Sequence, residues 1–130
     1  LAYAPKDLRP FLLLAALYLT TAVLTEILSN NATIVIMAPI SLELASRINL
    51  AADDARAFLI ATCIAASASF TTPIGYQTNT YVYSVGGYRF SDFVKIGLPL
   101  NLLYFVSSVT LIACYWRYPP FEGGLGSLFQ

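Results

Sequence analysis

The sequence contains no histidine and few charged residues. Seven Lys and Arg balance seven Asp and Glu among 130 residues, a charged fraction of 11%, whereas soluble domains typically carry about 25%. The absence of histidine removes the commonest general base and metal ligand. The absence of excess positive charge argues against a nucleic-acid partner. No combination of side chains suggests a catalytic site, so we expect neither enzymatic activity nor a cofactor.

Cysteine is also scarce. Cys63 and Cys114 are the two cysteines, and both lie within apolar stretches. Isolated cysteines in such surroundings favour packing over a disulfide or a metal site.

Apolar residues are abundant: they make up 58% of the chain, and the mean hydropathy is +0.69. About 20 apolar residues span a bilayer, so a chain of this length can hold about four crossing or half-crossing segments. We predict an integral membrane protein in contact with the lipid bilayer, and an unusually apolar soluble core is the alternative. Because the sequence begins with Leu1, we expect a fragment of a longer protein.

The first polar interruption is Ser29-Asn30-Asn31-Ala32-Thr33, between the apolar stretches Phe11 to Leu28 and Ile34 to Ala45. In hydrocarbon, unsatisfied polar groups are costly, so a break of this kind is expected where it is buried in protein or lines a solvated cavity. This pattern predicts a binding site at membrane depth.

The two arms beside this interruption differ in length. The first, about Pro10 to Leu28, begins with a proline, which suits the first turn of a helix. The second, about Thr33 to Ala45, covers roughly 20 Å at 1.5 Å per residue, which is short of a full crossing. The lengths predict a re-entrant helical hairpin over about residues 10–46. A loop between two full membrane spans is the alternative.

The second polar interruption is Thr71 to Thr80, which follows a helix predicted over about Ala55 to Phe70. Pro73 lacks an N–H donor, and Gly75 allows a positive φ. These residues predict a discontinuous transmembrane helix over about residues 55–85.

A final transmembrane helix is predicted over about residues 91–117, with a bend near Gly97-Leu98-Pro99. Short polar side chains at helix starts accept hydrogen bonds from first-turn N–H groups. The candidate caps are Asp53 or Asp54 for the third helix and Ser91 or Asp92 for the last. Aromatic residues predicted to form an interfacial belt are Tyr115, Trp116 and Tyr118.

A broken helix presents free carbonyls at one end and free N–H groups at the other, at the same depth. Carbonyls near Leu28 to Asn30 and at Thr72 to Gly75 can therefore face a cation. N–H groups near Asn31 to Thr33, and donors at Gln77 to Asn79, can hold an anion. Two paired breaks are typical of ion-coupled secondary transporters.

Glu26 is the only carboxylate within the first apolar stretch, Phe11 to Leu28, whereas Glu43 lies near the end of the second. Glu26 shares a helix face with Ser29 and Asn30. An ionisable group at membrane depth indicates function by default. Glu26 can support the cation site as a second-shell acceptor or carry a proton. The alternative is that hydrogen bonds to Thr25 or to a neighbouring helix merely neutralise it.

Two ordered motifs carry a resemblance to the divalent anion:sodium symporter family, the permeases for sulfate, dicarboxylates and related anions. Thr25 to Thr33, followed by Ala38-Pro39-Ile40, resembles the family's second Ser-Asn-Thr signature at a hairpin tip. Pro73 to Asn79, followed by Ile96 to Leu102, resembles its unwound penultimate helix and the start of its last helix.

The resemblance implies the C-terminal half of an inverted-repeat transporter that works as a homodimer by an elevator-type motion, in the plasma (inner) membrane. It implies sodium as the coupling ion and the only metal. The sodium-binding residues expected from the motifs and the breaks are Ser29, Asn30, Thr72 and Gly75. The substrate-binding residues expected are Asn30, Asn31, Thr33, Gln77 and Asn79.

Two departures from the family pattern bear on the substrate. Asn31 replaces the signature threonine, and Gly75-Tyr76-Gln77-Thr78-Asn79 stands where dicarboxylate carriers commonly have Ala-Thr-Pro-Pro-Asn. This variant is more similar to the sulfate-type branch, so an inorganic oxyanion is favoured over a dicarboxylate. The alternatives are a sodium/proton or arsenite-type permease of the same superfamily, and a non-transporting membrane scaffold.

Overall fold

The computed structural model describes residues 8–48 and 52–116, without the side chains of residues 52–54. These residues form five α-helices and no strand, so the all-α prediction is confirmed for them. The helices are α1 (Arg9–Thr25), α2 (Asn30–Arg47), α3 (Ala52–Ala66), α4 (Gln77–Gly86) and α5 (Phe90–Tyr115).

The helices α1 and α2 meet at a shorter break than predicted. α1 begins one residue before Pro10 and ends at Thr25, not at Leu28. Ser29 has an extended backbone, and its Oγ accepts a hydrogen bond from Ala32 N, so it caps α2. Asn30 therefore begins the helix. α2 has 18 residues, about 27 Å at 1.5 Å per residue, so the prediction of a 20 Å arm was wrong.

The helix α3 lies earlier in the chain than predicted. It begins at Ala52 and ends at Ala66, four residues before Phe70. Asp53 and Asp54 consequently lie in its first turn and not at the cap position, and their side chains are outside the described residues. The connection that follows, residues 67–76, is not helical.

The helix α4 begins inside the predicted second interruption. Gln77 to Thr80 form its first turn and are not unwound. α4 ends at Gly86 and is capped by Gly87, whose φ of 66° is left-handed, a conformation that glycine adopts without a Cβ penalty. Residues 81–90 are all exposed.

The helix α5 has 26 residues and a mean hydropathy of 1.8 over its most apolar window. Within the described part of the chain it is the one helix long and apolar enough to cross a membrane; α1 and residues 55–66 form shorter apolar helices. Its cap is Arg89 and not Ser91 or Asp92, although Asp92 Oδ2 accepts a 2.9 Å hydrogen bond from Arg89 N. α5 continues through Pro99 as one element, and the bend stays a prediction.

The end of the predicted last helix falls partly outside the described residues. α5 ends at Tyr115, with Trp116 as its C-cap. Residue 117, and Tyr118 of the predicted aromatic belt, lie beyond the described range.

The core is centred on α3, which contacts α1, α2 and α5. Ala57, Ala61 and Ala65 of α3 are fully buried, with Leu14 and Tyr18 of α1 in the same cluster. Small side chains let helices approach closely where packing, not water exclusion, drives association. Large apolar side chains on the outer faces of α2 and α5 remain exposed, including Val35 and Leu103 at 74% and 67%.

Candidate ion-binding site between two helix breaks

The first break (residues 26–29) and the second break (residues 67–76) are joined by the side chain of Glu26. Glu26 Oε1 accepts hydrogen bonds from the backbone N–H groups of Phe70 at 3.1 Å and Thr71 at 2.8 Å. Glu26 Oε2 accepts one from Thr72 N at 2.7 Å. Thr72 Oγ1 in turn donates to the Glu26 carbonyl at 2.7 Å. The two predicted interruptions therefore form one structural unit.

A third element, α5, contributes to the same cluster through Asn101. Asn101 Nδ2 donates to Glu26 Oε1 at 2.7 Å and to Thr71 Oγ1 at 2.6 Å. All four groups that face the Glu26 carboxylate are donors, which suits an ionised acceptor. Of the two partners considered in the alternative interpretation, Thr25 does not bond to the Glu26 carboxylate, whereas a neighbouring helix, α5, does so through Asn101.

The Thr25 hydroxyl links the ends of two helices. Thr25 Oγ1 lies 2.6 Å from the Ala66 carbonyl oxygen at the end of α3 and 2.9 Å from the Asn30 side-chain amide. A hydroxyl has one proton, and the shorter contact assigns it to Ala66. The 2.9 Å contact joins the same hydroxyl to Asn30 Oδ1, so this amide oxygen lies at the junction beside the end of α3.

Gly75 brings the second break directly against the first. A Cβ at this position would overlap Ser69 Oγ and lie 2.7 Å from the Thr25 carbonyl oxygen. Glycine is therefore required here by close approach of the backbones. Gly75 does not adopt a positive φ. Among the described glycines, that conformation is found at Gly87.

Gly97 likewise permits a close approach, here between α5 and the backbone of the second break. A Cβ on Gly97 would overlap the Phe70 carbonyl oxygen and lie 2.6 Å from Thr71 Cα. α5 thus packs on the backbone of the second break, which is held between Gly97 on α5 and Glu26 beside α1.

The predicted sodium-binding residues occupy different environments. Thr72 and Gly75 lie in the second break at its contact with Glu26 and Thr25. Asn30 is half-buried beside Thr25, whereas Ser29 is exposed and its hydroxyl caps α2. The structure brings Thr72, Gly75 and Asn30 to the junction of the breaks.

The predicted substrate-binding residues divide by exposure. Asn31 and Gln77 are exposed in the first turns of α2 and α4, and Thr33 is fully buried. Thr33 Oγ1 has no hydrogen-bond partner among the described residues. Asn79 Nδ2 donates to the Ser69 carbonyl at 3.0 Å and the Thr72 carbonyl at 3.4 Å, so this side chain stabilises the second break.

Three residues at the junction are not predicted by the sequence pattern: Thr25 as a helix-to-helix link, Ser69 beside Gly75, and Asn101 on α5. The sequence could have indicated Asn101 as a candidate site residue, because it is a lone amide in an apolar helix. Thr25 and Ser69 had none, because small hydroxyl residues are common in membrane helices, where they bond to their own backbone.

A cavity of about 560 Å³ lies beside the second break, between α4 and the first half of α5. Most of its lining is apolar, and Asp92 and Lys95 are its charged residues. Asn79 and Phe70 connect it to the second break.

Over the described residues the chain is all-helical, and two breaks between helices meet through backbone, hydroxyl and amide groups and one carboxylate. A family model described as a citrate transporter matches residues 7–122. The chain belongs to this family.

The relatives agree with that assignment. The chain is 47% identical over 120 residues to an uncharacterized transporter of Synechocystis, covering 92% of this chain and 19% of that protein. It is 38% identical to a probable sodium/sulfate cotransporter of Chlamydomonas reinhardtii, covering 80% and 11%. It is 34% identical to human solute carrier family 13 member 1, covering 85% and 18%. The resemblance to the divalent anion:sodium symporters is confirmed.

The chain spans about a fifth or less of the length of the curated relatives it matches. No solved structure matches it significantly.

Proposed function

We propose that this chain forms part of the transport site of a sodium-coupled secondary transporter for a divalent anion, and that it has no enzymatic activity. The observation that carries the proposal is the docking of the two breaks through Glu26, with Oε distances of 2.7 to 3.1 Å to three consecutive backbone nitrogens. In this arrangement the C-terminal ends of α1 and α3 lie next to each other. The free carbonyls at such helix ends carry partial negative charge.

Sodium binds at this junction in our proposal. A hard cation requires oxygen ligands, and the junction offers the Asn30 amide, the Gly75 carbonyl and backbone or hydroxyl oxygens of Thr72. Ser29 contributes by capping α2, because its hydroxyl already accepts a hydrogen bond from Ala32 N. Glu26 acts by holding the second break in place and supplies negative charge nearby.

The anion binds on the side of the helix N-termini. The first turns of α2 and α4 contain Asn31, Thr33, Gln77 and Asn79. Asn79 Nδ2 already donates to the Ser69 and Thr72 carbonyls, so Asn79 contributes by holding the second break beside the N-terminus of α4. Helix N-termini favour anions through their free N–H groups and their partial positive charge. Neutral amides and hydroxyls suit a tetrahedral oxyanion, which needs several donors and no general base.

The substrate is an inorganic oxyanion of the sulfate type in our proposal, and a dicarboxylate is the second candidate. Relatives named sodium/sulfate cotransporters support the first, whereas the family description, citrate transporter, favours a carboxylate. Competition of unlabelled citrate, succinate and thiosulfate against labelled sulfate uptake separates the two.

The architecture we propose places α1 and α2 as a re-entrant hairpin, α3 and α4 as a discontinuous helix and α5 as a membrane span. The chain is then the C-terminal part of a longer transporter in the plasma membrane, with inverted repeats and a homodimeric assembly. The exposed residues 81–90, which run from α4 to the start of α5, and the exposed apolar side chains of α2 and α5 fit contact with lipid or with the remainder of such a protein.

The test is sulfate uptake into liposomes that contain the full-length protein. We expect uptake to follow an inward sodium gradient and to be abolished in Asn30→Ala. Thr20→Ala is the control, because Thr20 is exposed and bonds to the carbonyl of Ala16 in its own helix. Sodium-independent uptake, or unchanged uptake by Asn30→Ala protein that folds normally, would contradict the proposal.

The alternatives give different results in the same assay. A proton-coupled permease shows uptake that follows a pH gradient, and loses that dependence in Glu26→Gln. A non-transporting scaffold shows no uptake, and neither sodium nor any anion raises its thermal stability.

A further inference from the structure

Ser69 has a buried hydroxyl without a hydrogen-bond partner. The residue is 3% exposed, and its Oγ is unpaired among the described residues. Other hydroxyls nearby bond to their own helix: Thr62 Oγ1 donates to the Phe58 carbonyl and Ser67 Oγ to the Cys63 carbonyl. Ser69 lies beyond the end of α3 at Ala66. A buried polar atom without a partner is costly, so a ligand that satisfies it is expected.

The Ser69 hydroxyl lies beside a second oxygen that comes from the other break. The position that a Cβ of Gly75 would occupy overlaps Ser69 Oγ and is 2.7 Å from the Thr25 carbonyl oxygen. Ser69 Oγ and the Thr25 oxygen therefore lie close to each other against Gly75, without a hydrogen bond between them. Ser69 Oγ occupies the room that a side chain at residue 75 would need, so this arrangement requires glycine there.

The electrostatic surroundings favour a positive ligand beside these two oxygens. The Thr25 carbonyl belongs to the C-terminal end of α1, where the helix dipole is negative. The ionisable side chain that bonds to the adjoining backbone is Glu26, through Phe70, Thr71 and Thr72. Carbonyl and hydroxyl oxygens are ligands of hard cations, whereas an anion would be repelled by the carbonyl.

We propose that the Ser69 hydroxyl is an additional oxygen ligand of the bound sodium ion and helps to determine cation affinity and selectivity. This inference rests on the proposed function and adds a residue outside the Ser29, Asn30, Thr72 and Gly75 set. The hydroxyl is kept unpaired in the protein because the cation is its partner. A water molecule in the same place is the alternative occupant, and it predicts no effect on sodium affinity.

The experiment compares Ser69→Ala with Ser67→Ala in the full-length protein. Ser67 is the matched control, because it lies two positions away, is exposed and bonds to its own helix. The sodium concentration for half-maximal anion uptake is measured at saturating anion, together with the ratio of sodium-driven to lithium-driven uptake. We expect Ser69→Ala to raise the sodium requirement by about tenfold or more and to change the ratio, and Ser67→Ala to change neither.

The Ser69→Cys variant distinguishes an effect on sodium binding from an effect on folding. It retains a side chain of similar shape but replaces the hard oxygen with a soft sulfur. We therefore expect the same increase in sodium requirement, with a melting temperature in sodium-free buffer that equals that of the wild type. Equal sodium requirements for wild type, Ser69→Ala and Ser69→Cys would overturn this inference while leaving sodium coupling intact. Uptake by the wild type that does not depend on sodium would instead overturn the proposed function, and this inference with it.

Discussion

Asn101 Nδ2 donates a 2.7 Å hydrogen bond to Glu26 Oε1, although the two residues are 75 positions apart in the chain. The same Glu26 oxygen accepts from Phe70 N and Thr71 N. One carboxylate oxygen thus collects donors from the second break and from α5. We infer that the relative position of the two breaks depends on this side chain.

Glu26→Gln tests that dependence. The substitution replaces one acceptor oxygen by an NH₂ group that faces backbone donors, so hydrogen bonds to a charged group are lost. We expect a loss of about 1.5–3 kcal/mol in stability, measured as a lower midpoint temperature. Glu43→Gln is the control, since Glu43 forms an exposed surface pair with Arg47 at 2.8 Å, worth about 0–1 kcal/mol. Equal melting temperatures for the two variants would contradict the inference.

Asn101 provides an independent test through two substitutions. Asn101→Ala removes the donor to Glu26 and Thr71, with an expected cost of about 1–3 kcal/mol. Asn101→Asp preserves the shape but places a second carboxylate against Glu26, so like charges repel. We expect thermal stability at neutral pH to decrease in the order wild type, Ala, Asp. The reverse order at neutral pH would count against the assignment.

Thr25 tests the link between α1 and α3. Thr25→Val preserves the branched shape but removes the 2.6 Å hydrogen bond to the Ala66 carbonyl, and we expect it to cost about 1–3 kcal/mol. Thr25→Ser retains the hydroxyl and should be less damaging. Thr20→Val is the control, because its hydroxyl is exposed and bonds within α1. A melting temperature that falls as much for Thr20→Val as for Thr25→Val would refute the prediction.

Gly97 tests the packing of α5 on the second break. The Cβ of Gly97→Ala would overlap the Phe70 carbonyl oxygen, and overpacking of this kind costs about 1–3 kcal/mol. In Gly86→Ala the three atoms nearest to the new Cβ all belong to the exposed Tyr88 ring, at 2.5 Å at closest, and that side chain can rotate away. We expect Gly97→Ala to melt at a lower temperature and Gly86→Ala to be neutral or slightly stabilised, as glycine is unfavourable in a helix. Comparable behaviour of the two variants would show that α5 does not contact the break closely.

The sequence predicts the existence of both breaks, because lipid tolerates a polar cluster between apolar stretches only where protein or water covers it. It predicts the helix boundaries less well. Ser29 caps α2 through Ala32 N, so Asn30 and Asn31 enter the helix instead of forming a loop. Gln77 to Thr80 likewise begin α4. Caps and turns use the same residue types, and only the backbone geometry decides between them.

The partners of Glu26 could not be predicted from local pattern. They lie 44 to 46 positions away in the second break and 75 positions away in α5. Spacing along a helix places residues on a common face, but it does not show which distant backbone that face will meet. The close contact of Gly97 with the second break could not be predicted for the same reason, because a glycine within a helix does not indicate which distant segment it will contact.

Whether the two docked breaks form a sodium site is tested most directly by measuring thermal stability as a function of sodium concentration. The midpoint temperature of the purified full-length protein is followed as sodium chloride replaces choline chloride at constant ionic strength, for wild type and Asn30→Ala. Binding to the folded state raises stability with ligand concentration. We predict a midpoint that rises with sodium in the wild type and stays flat in Asn30→Ala. A wild-type midpoint that does not respond to sodium, or an equal rise in both proteins, would contradict the account.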